Sequence, residues 1–139
     1  MKVPEASISL VVAEASAKMQ DMDYITGRVD RLTKAQPSIT QYVIAHQTEL
    51  SFAGIVSVLF NAALIHESVY RATGRFPSRV SYADLDAAAL ATPTLEALAN
   101  IEPNLASFIV SNLDSEQGSH FPGIAGKILA HVAMALATA

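Results

Sequence analysis

Apolar side chains recur along this chain at spacings of three and four, and no stretch alternates apolar with polar residues as a half-buried strand would. The pattern predicts an all-α protein. Its first element covers residues 5–34, where Ile8, Val12, Ala15, Met19, Met22, Val29 and Leu32 form a seam for another helix. With Thr26 filling the one gap, the repeat averages about 3.5 residues, as helix-on-helix packing requires. Glu14 with Lys18 and Asp30 with Lys34 add i,i+4 pairs in the favoured orientation. Gly27 weakens the run and Asp21 offers a cap, so a break near Gln20 is the alternative; a single long N-terminal helix is the favoured reading.

Proline, glycine and capping residues punctuate the rest. Pro37 suits the first turn of a helix that runs to about Thr48, Ser51 opens the next, and Gly74 supplies a left-handed stop. Residues 51–73 are apolar nearly all round, as in the central helix of a bundle. After a loop at 74–79, Ser81 and Asp84 resemble a capping box for a helix into Leu90. Thr92 and Pro93 start a short helix ending near Asn100, and Pro103 begins another. Residues 114–120 lack apolar periodicity and read as a loop before a last apolar helix over 121–137. The expected fold is one domain over residues 1–139, a bundle of about six helices with hairpins at about 37–73 and 103–137.

The two hairpins resemble one another. Gln36, Pro37, Ile39, Tyr42, Val43 and Ile44 align with Glu102, Pro103, Leu105, Phe108, Ile109 and Val110 at an offset of 66. Phe52, Gly54, Ile55, Leu59 and Phe60 then align with Phe121, Gly123, Ile124, Ile128 and Leu129 at an offset of 69. An internal duplication with pseudo-twofold packing is one reading and convergence of two amphipathic hairpins the other. Under the first, Gly54 and Gly123 would let paired helix backbones approach closely.

Composition narrows the class. Of 139 residues, 51% are hydrophobic and 16% charged, which excludes disorder and argues for a real core. The absence of cysteine removes disulfides, thiolate metal sites and a cysteine nucleophile, and suits a reducing compartment. Glu5 and Glu14 interrupt the start where an export signal would stay uncharged, so a cytoplasmic location is expected. The apolar run at 50–65 falls short of the roughly 20 residues needed to span a bilayer, so no membrane span is expected. A net charge of -4 speaks against nucleic acid as a partner.

Few residues invite chemistry. His66 and Glu67 begin a zinc-protease motif that Tyr70 breaks, and Glu67 is better matched to Arg71 four residues on. His46 and Glu49 share a helix face in the reverse of the di-iron order, and no histidine recurs between the aligned hairpins. In that alignment His66 meets Ala135, and His131 meets Ala62. No nucleophile elbow, phosphate loop or acid pair is present, so no catalytic residue, metal ligand or cofactor is assigned. Arg71, Arg75 and Arg79 precede a stretch rich in acids and are the candidates for binding an anion or a protein partner. The aromatic set Tyr42, Phe52, Phe60, Tyr70, Phe76 and Phe108 reads chiefly as core.

The leading expectation is a non-catalytic interaction module that self-associates as a homo-oligomer. Its warrant is low charge together with a seam of about 45 Å that would overhang one small bundle. A small-molecule-binding bundle with Tyr42, Asn61 and His66 as polar contacts is the first alternative. A metal-dependent helical enzyme drawing on His46, Glu49, His66, Glu67, His120 and His131 is the second.

Overall fold

The computed structural model describes residues 2–117 and 123–139, the side chains of 113–117 excepted. Among the described residues the chain is all-α, with eight helices and no strand. They are α1 (Glu5–Ala17), α2 (Met22–Ala35), α3 (Pro37–Ile44), α4 (Phe52–Thr73), α5 (Tyr82–Ala91), α6 (Leu95–Ile101), α7 (Pro103–Gln117) and α8 (Gly123–Thr138). The helix α4 lies at the centre, packed by α1, α2, α3, α7 and α8.

Local chemistry explains the boundaries. Ser51 accepts from Gly54 N–H at 3.0 Å to start α4, and Gly74 at φ 78° ends it. Ser81 and Asp84 close the anticipated capping box at the start of α5. The short helix begins one turn later than expected, at Leu95, because Thr94 rather than Thr92 caps it. Thr92 instead ends α5, its hydroxyl donating to the Ala88 carbonyl at 2.8 Å.

Several expectations fail, each for a physical reason. The long N-terminal helix is two helices. Asp21 takes the Asp23 N–H at 2.9 Å and caps α2, and the break folds α1 and α2 back onto the same central helix. Met19 and Met22, drawn as part of the continuous seam, are exposed at 41% and 69%. Among the described residues no helix of about 45 Å overhangs the bundle, so that argument for a second subunit falls away. The helix expected to reach Thr48 ends at Ile44, followed by a turn in which Leu50 is buried. The expected loop at 114–120 is helical through Gln117, and α8 is described from Gly123; His120 and Phe121 lie outside the described residues.

The glycines do not bring helices together. A Cβ on Gly54 would meet only Leu50 and Ser51, and Gly123, at φ 45°, faces open space. Of the six aromatic residues read as core, Phe52 and Phe76 are 81% and 53% exposed. The apolar run counted as sixteen residues extends into a helix of 22, long and apolar enough by length and composition to cross a bilayer. In the fold, 67% of its most apolar window is buried, chiefly among α1, α2 and α8.

A correspondence runs through the packing. α1 packs on α4 as α5 packs on α8, α2 pairs with α3 as α6 with α7, and α1 touches α7 as α5 touches α3. Burial follows the same register: Leu32, Gln36, Ile39, Tyr42 and Val43 are buried, and so are Leu98, Glu102, Leu105, Phe108 and Ile109. Gln36 and Glu102 each precede a proline at φ -136° and -131°, as the C-caps of α2 and α6. Both side chains then reach across to the opposite half. The Val80 N–H donates to Gln36 Oε1 at 2.8 Å, and the Val3 N–H donates to Glu102 Oε1 at 2.8 Å. Val3 and Val80, each just ahead of its half's first helix, are both buried.

Candidate functional site

The polar candidates from the sequence occupy three separate places. Tyr42, on α3, donates to or accepts from His131 Nδ1 at 2.8 Å and meets the His46, Tyr82 and His131 rings edge-on. Its phenol is pushed above the ordinary value by burial first, then by Asp86 and Tyr82. The His131 ring is held below its ordinary value, mainly by burial and against the opposing pull of the Pro93 backbone, and its buried Nε2 makes no hydrogen bond of good geometry among the described residues. Asn61, fully buried on α4, donates to the Ser57 carbonyl at 2.8 Å and accepts from Asn112 on α7 at 2.8 Å. That pair ties two helices together inside the core.

His66 stands elsewhere, in a cleft between α2, α4 and the extended strap that follows Gly74. The strap is built by three contacts. Thr73 Oγ1 accepts from the Arg75 N–H at 3.2 Å beside the Gly74 turn. Phe76 then lies flat on two rings of α4, its centroid 4.2 Å from Tyr70 and 5.0 Å from His66. Gln36, 1% exposed, donates to the Ser78 carbonyl at 3.0 Å while holding Val80. One buried amide therefore fixes the strap at the edge of the cleft. A glutamine used in both directions satisfies a donor and an acceptor that would otherwise be stranded in the interior.

The cleft has a volume of about 220 Å³ and is walled by Leu32, Ala35, Ala63, Phe76 and Pro77, with Arg28, Arg31, His66 and Glu67 as its polar members. Arg28 is committed: its Nη1 lies 3.6 Å from Glu67, its Nε donates to the Tyr24 hydroxyl at 3.3 Å, and its guanidinium sits over the Tyr24 ring. Glu67 also accepts from Arg71 Nε at 3.4 Å. Arg31 is exposed and makes no ion pair or hydrogen bond among the described residues. His66 is 8% exposed, and neither ring nitrogen has a hydrogen-bond partner among the described residues. Burial holds its pKa below the ordinary value against the opposing pull of Glu67, so the ring is neutral near pH 7.

The three arginines singled out in the sequence diverge. Arg71 is engaged by Glu14, whose carboxylate oxygens accept at 2.8 and 3.1 Å, and that contact raises its pKa. Glu14 thus serves α4 rather than Lys18, which lies over the Tyr24 ring. Arg75 and Arg79 are exposed on different shallow grooves, so the three do not form one anion site. His46 pairs with Glu49 at 3.1 Å. Among the described residues no three histidine, aspartate or glutamate side chains gather closely enough to hold a metal ion.

Sequence reasoning missed Arg28 and Arg31 as well as the role of Gln36, and it read Phe76 as core. The arginines stand one turn apart on α2, and Gln36 had already surfaced in the hairpin alignment, but nothing local reveals that the strap crosses back over α2. Comparison of the chain with protein-family models, curated proteins and solved structures finds no match.

Proposed function

We propose that this chain is a small-molecule-binding helical domain, made of two matched four-helix halves, whose site is the cleft between α2, α4 and the strap. The observation that carries the reading is the apolar cleft itself, onto which His66, a largely buried imidazole whose ring nitrogens make no hydrogen bond among the described residues, opens beside the exposed Arg31. An apolar cleft with a few convergent polar groups that solvent alone satisfies is where a ligand's polar atom finds partners. The repeat supports the same location. At the positions aligned with Arg31, His66 and Glu67 the second half has Ala97, Ala135 and Leu136. What the halves share builds the scaffold, and this polar set belongs to one half.

The test is a fragment screen by amide NMR on the full chain. Binding should shift Leu32, Ala63, His66 and Phe76 together, and Ala35→Trp, at an exposed position on the cleft wall, should abolish those shifts while leaving the spectrum folded. Shifts confined to other surfaces would overturn the assignment.

Self-association is a second reading, favoured by five large apolar side chains more than half exposed among the described residues: Leu10, Met22, Phe52, Phe76 and Leu90. Sedimentation at micromolar concentration tests it, with a monomer at all concentrations as the outcome against it. In the duplicated reading, α4 packs against α8 within one chain, as the central helices of two subunits would. One chain thereby satisfies internally much of what a dimer would supply.

A further inference from the structure

Resting on the cleft as the binding site, we infer that its ligand is a compact organic carboxylate with an aromatic or branched apolar body. Size comes first. A cavity of about 150 Å³ accepts benzene, so a cleft of about 220 Å³ takes a body of that kind with a few further non-hydrogen atoms. The walls set the body's character: Leu32, Ala35, Ala63 and Pro77 are apolar, and Phe76 is held by its stack on His66 and Tyr70.

Charge sets the head group. Glu67 and Arg28 cancel, Arg71 is answered by Glu14, and His66 is neutral, which leaves the Arg31 guanidinium as the uncompensated charge on the cleft. A guanidinium fork matches a carboxylate in charge and in planar geometry. A cationic ligand would meet Arg31 as a like charge. A neutral apolar ligand would leave the His66 ring without a partner and make no use of Arg31, which is exposed and stays solvated. His66 supplies one further donor or acceptor, favouring a ligand with a second oxygen near its carboxylate.

The experiment is a titration of the full chain, followed by amide NMR, with phenylacetate, 4-methylpentanoate, phenylacetamide and phenethylamine at millimolar concentration. The carboxylates should shift the cleft residues saturably and bind about two- to fivefold more tightly than the amide, with the amine weakest. Arg31→Gln, an exposed substitution, should bring phenylacetate down to the affinity of phenylacetamide; the comparison among wild-type ligands stands even if the variant proves unsound. Equal binding of acid and amide in the cleft, or stronger binding of the amine, would overturn the carboxylate assignment and keep the cleft as a site. No saturable shift of the cleft residues by any of the four compounds would overturn both.

Discussion

The helices α1 to α4 and α5 to α8 place buried residues at matching positions yet carry different chemistry. Leu32 answers Leu98, Ile39 answers Leu105, and Gln36 and Glu102 each clasp the extended segment that leads into the other half. The polar residues of the cleft have no such answers, since Ala97, Ala135 and Leu136 stand where α1 to α4 have Arg31, His66 and Glu67. The second helix of each set differs too, with 14 residues in α2 against 7 in α6. Packing needs only volume and apolarity at the matched positions, so it tolerates the loss of a histidine to alanine on one side. Positions that depart from the match without a packing reason are therefore where function is to be sought.

The matched core predicts the largest effects. Ile39→Ala and Leu105→Ala, both at fully buried positions, should each destabilise the chain by about 2–5 kcal/mol in urea unfolding. Their costs should agree to within about 1 kcal/mol if the halves are packed alike, though relaxation around each cavity sets that spread. A severe loss at one site with near-neutrality at the other would break the comparison, because it would mean that the register matches while the packing does not.

The clasps should separate the halves by a smaller margin. Gln36 both donates to Ser78 and accepts from Val80, whereas the contact seen at Glu102 is acceptance from Val3. Gln36→Leu leaves the buried Val80 N–H and the strap carbonyls without their partner, a loss of about 1–3 kcal/mol. Glu102→Gln keeps an acceptor for Val3 and should cost less, a difference readable in the same unfolding series. If the two substitutions cost the same, the strap is held by Phe76 and not by the amide.

How much of this was legible in the sequence follows from what periodicity and caps encode. Spacing of apolar residues revealed the all-α class, and Pro37, Pro103, Ser81 and Gly74 marked helix ends because their effects are local. The break at 18–21 was weighed and set aside, since the apolar rhythm crosses it; only the docking of α1 and α2 on one central helix shows why the chain turns there. The hairpin alignment surfaced Gln36 and Glu102 without their role, because a clasp depends on an extended segment about forty residues away for Gln36, and nearly a hundred for Glu102. Likewise His66 was named, but its neighbours Arg31 and Phe76 come from other elements. Tertiary juxtaposition of this kind leaves no trace in local spacing.

The smallest effect expected is a pH dependence that tells the buried histidine from its alanine match. The folded chain holds the His66 pKa below the ordinary value, chiefly by burial, with Glu67 opposing; His131 is lowered as well. Arg28 and Arg31 are the cations that α2 brings to the cleft. As pH falls through about 6.5, the unfolded chain takes up protons on these rings before the folded chain does. Stability is therefore full above that value, falls as the solution is acidified, and levels once pH passes below the folded-state pKa. Urea unfolding between about pH 7.5 and 5.5 should show this decline ahead of most carboxylate titration. His66→Gln should flatten part of it and His131→Gln another part, while Ala135→Gly should leave the slope as it is because alanine has nothing to titrate. A slope unchanged by His66→Gln would mean that the imidazole is solvated in the folded protein, and the cleft would then be a wet surface groove with no polar atom waiting for a ligand.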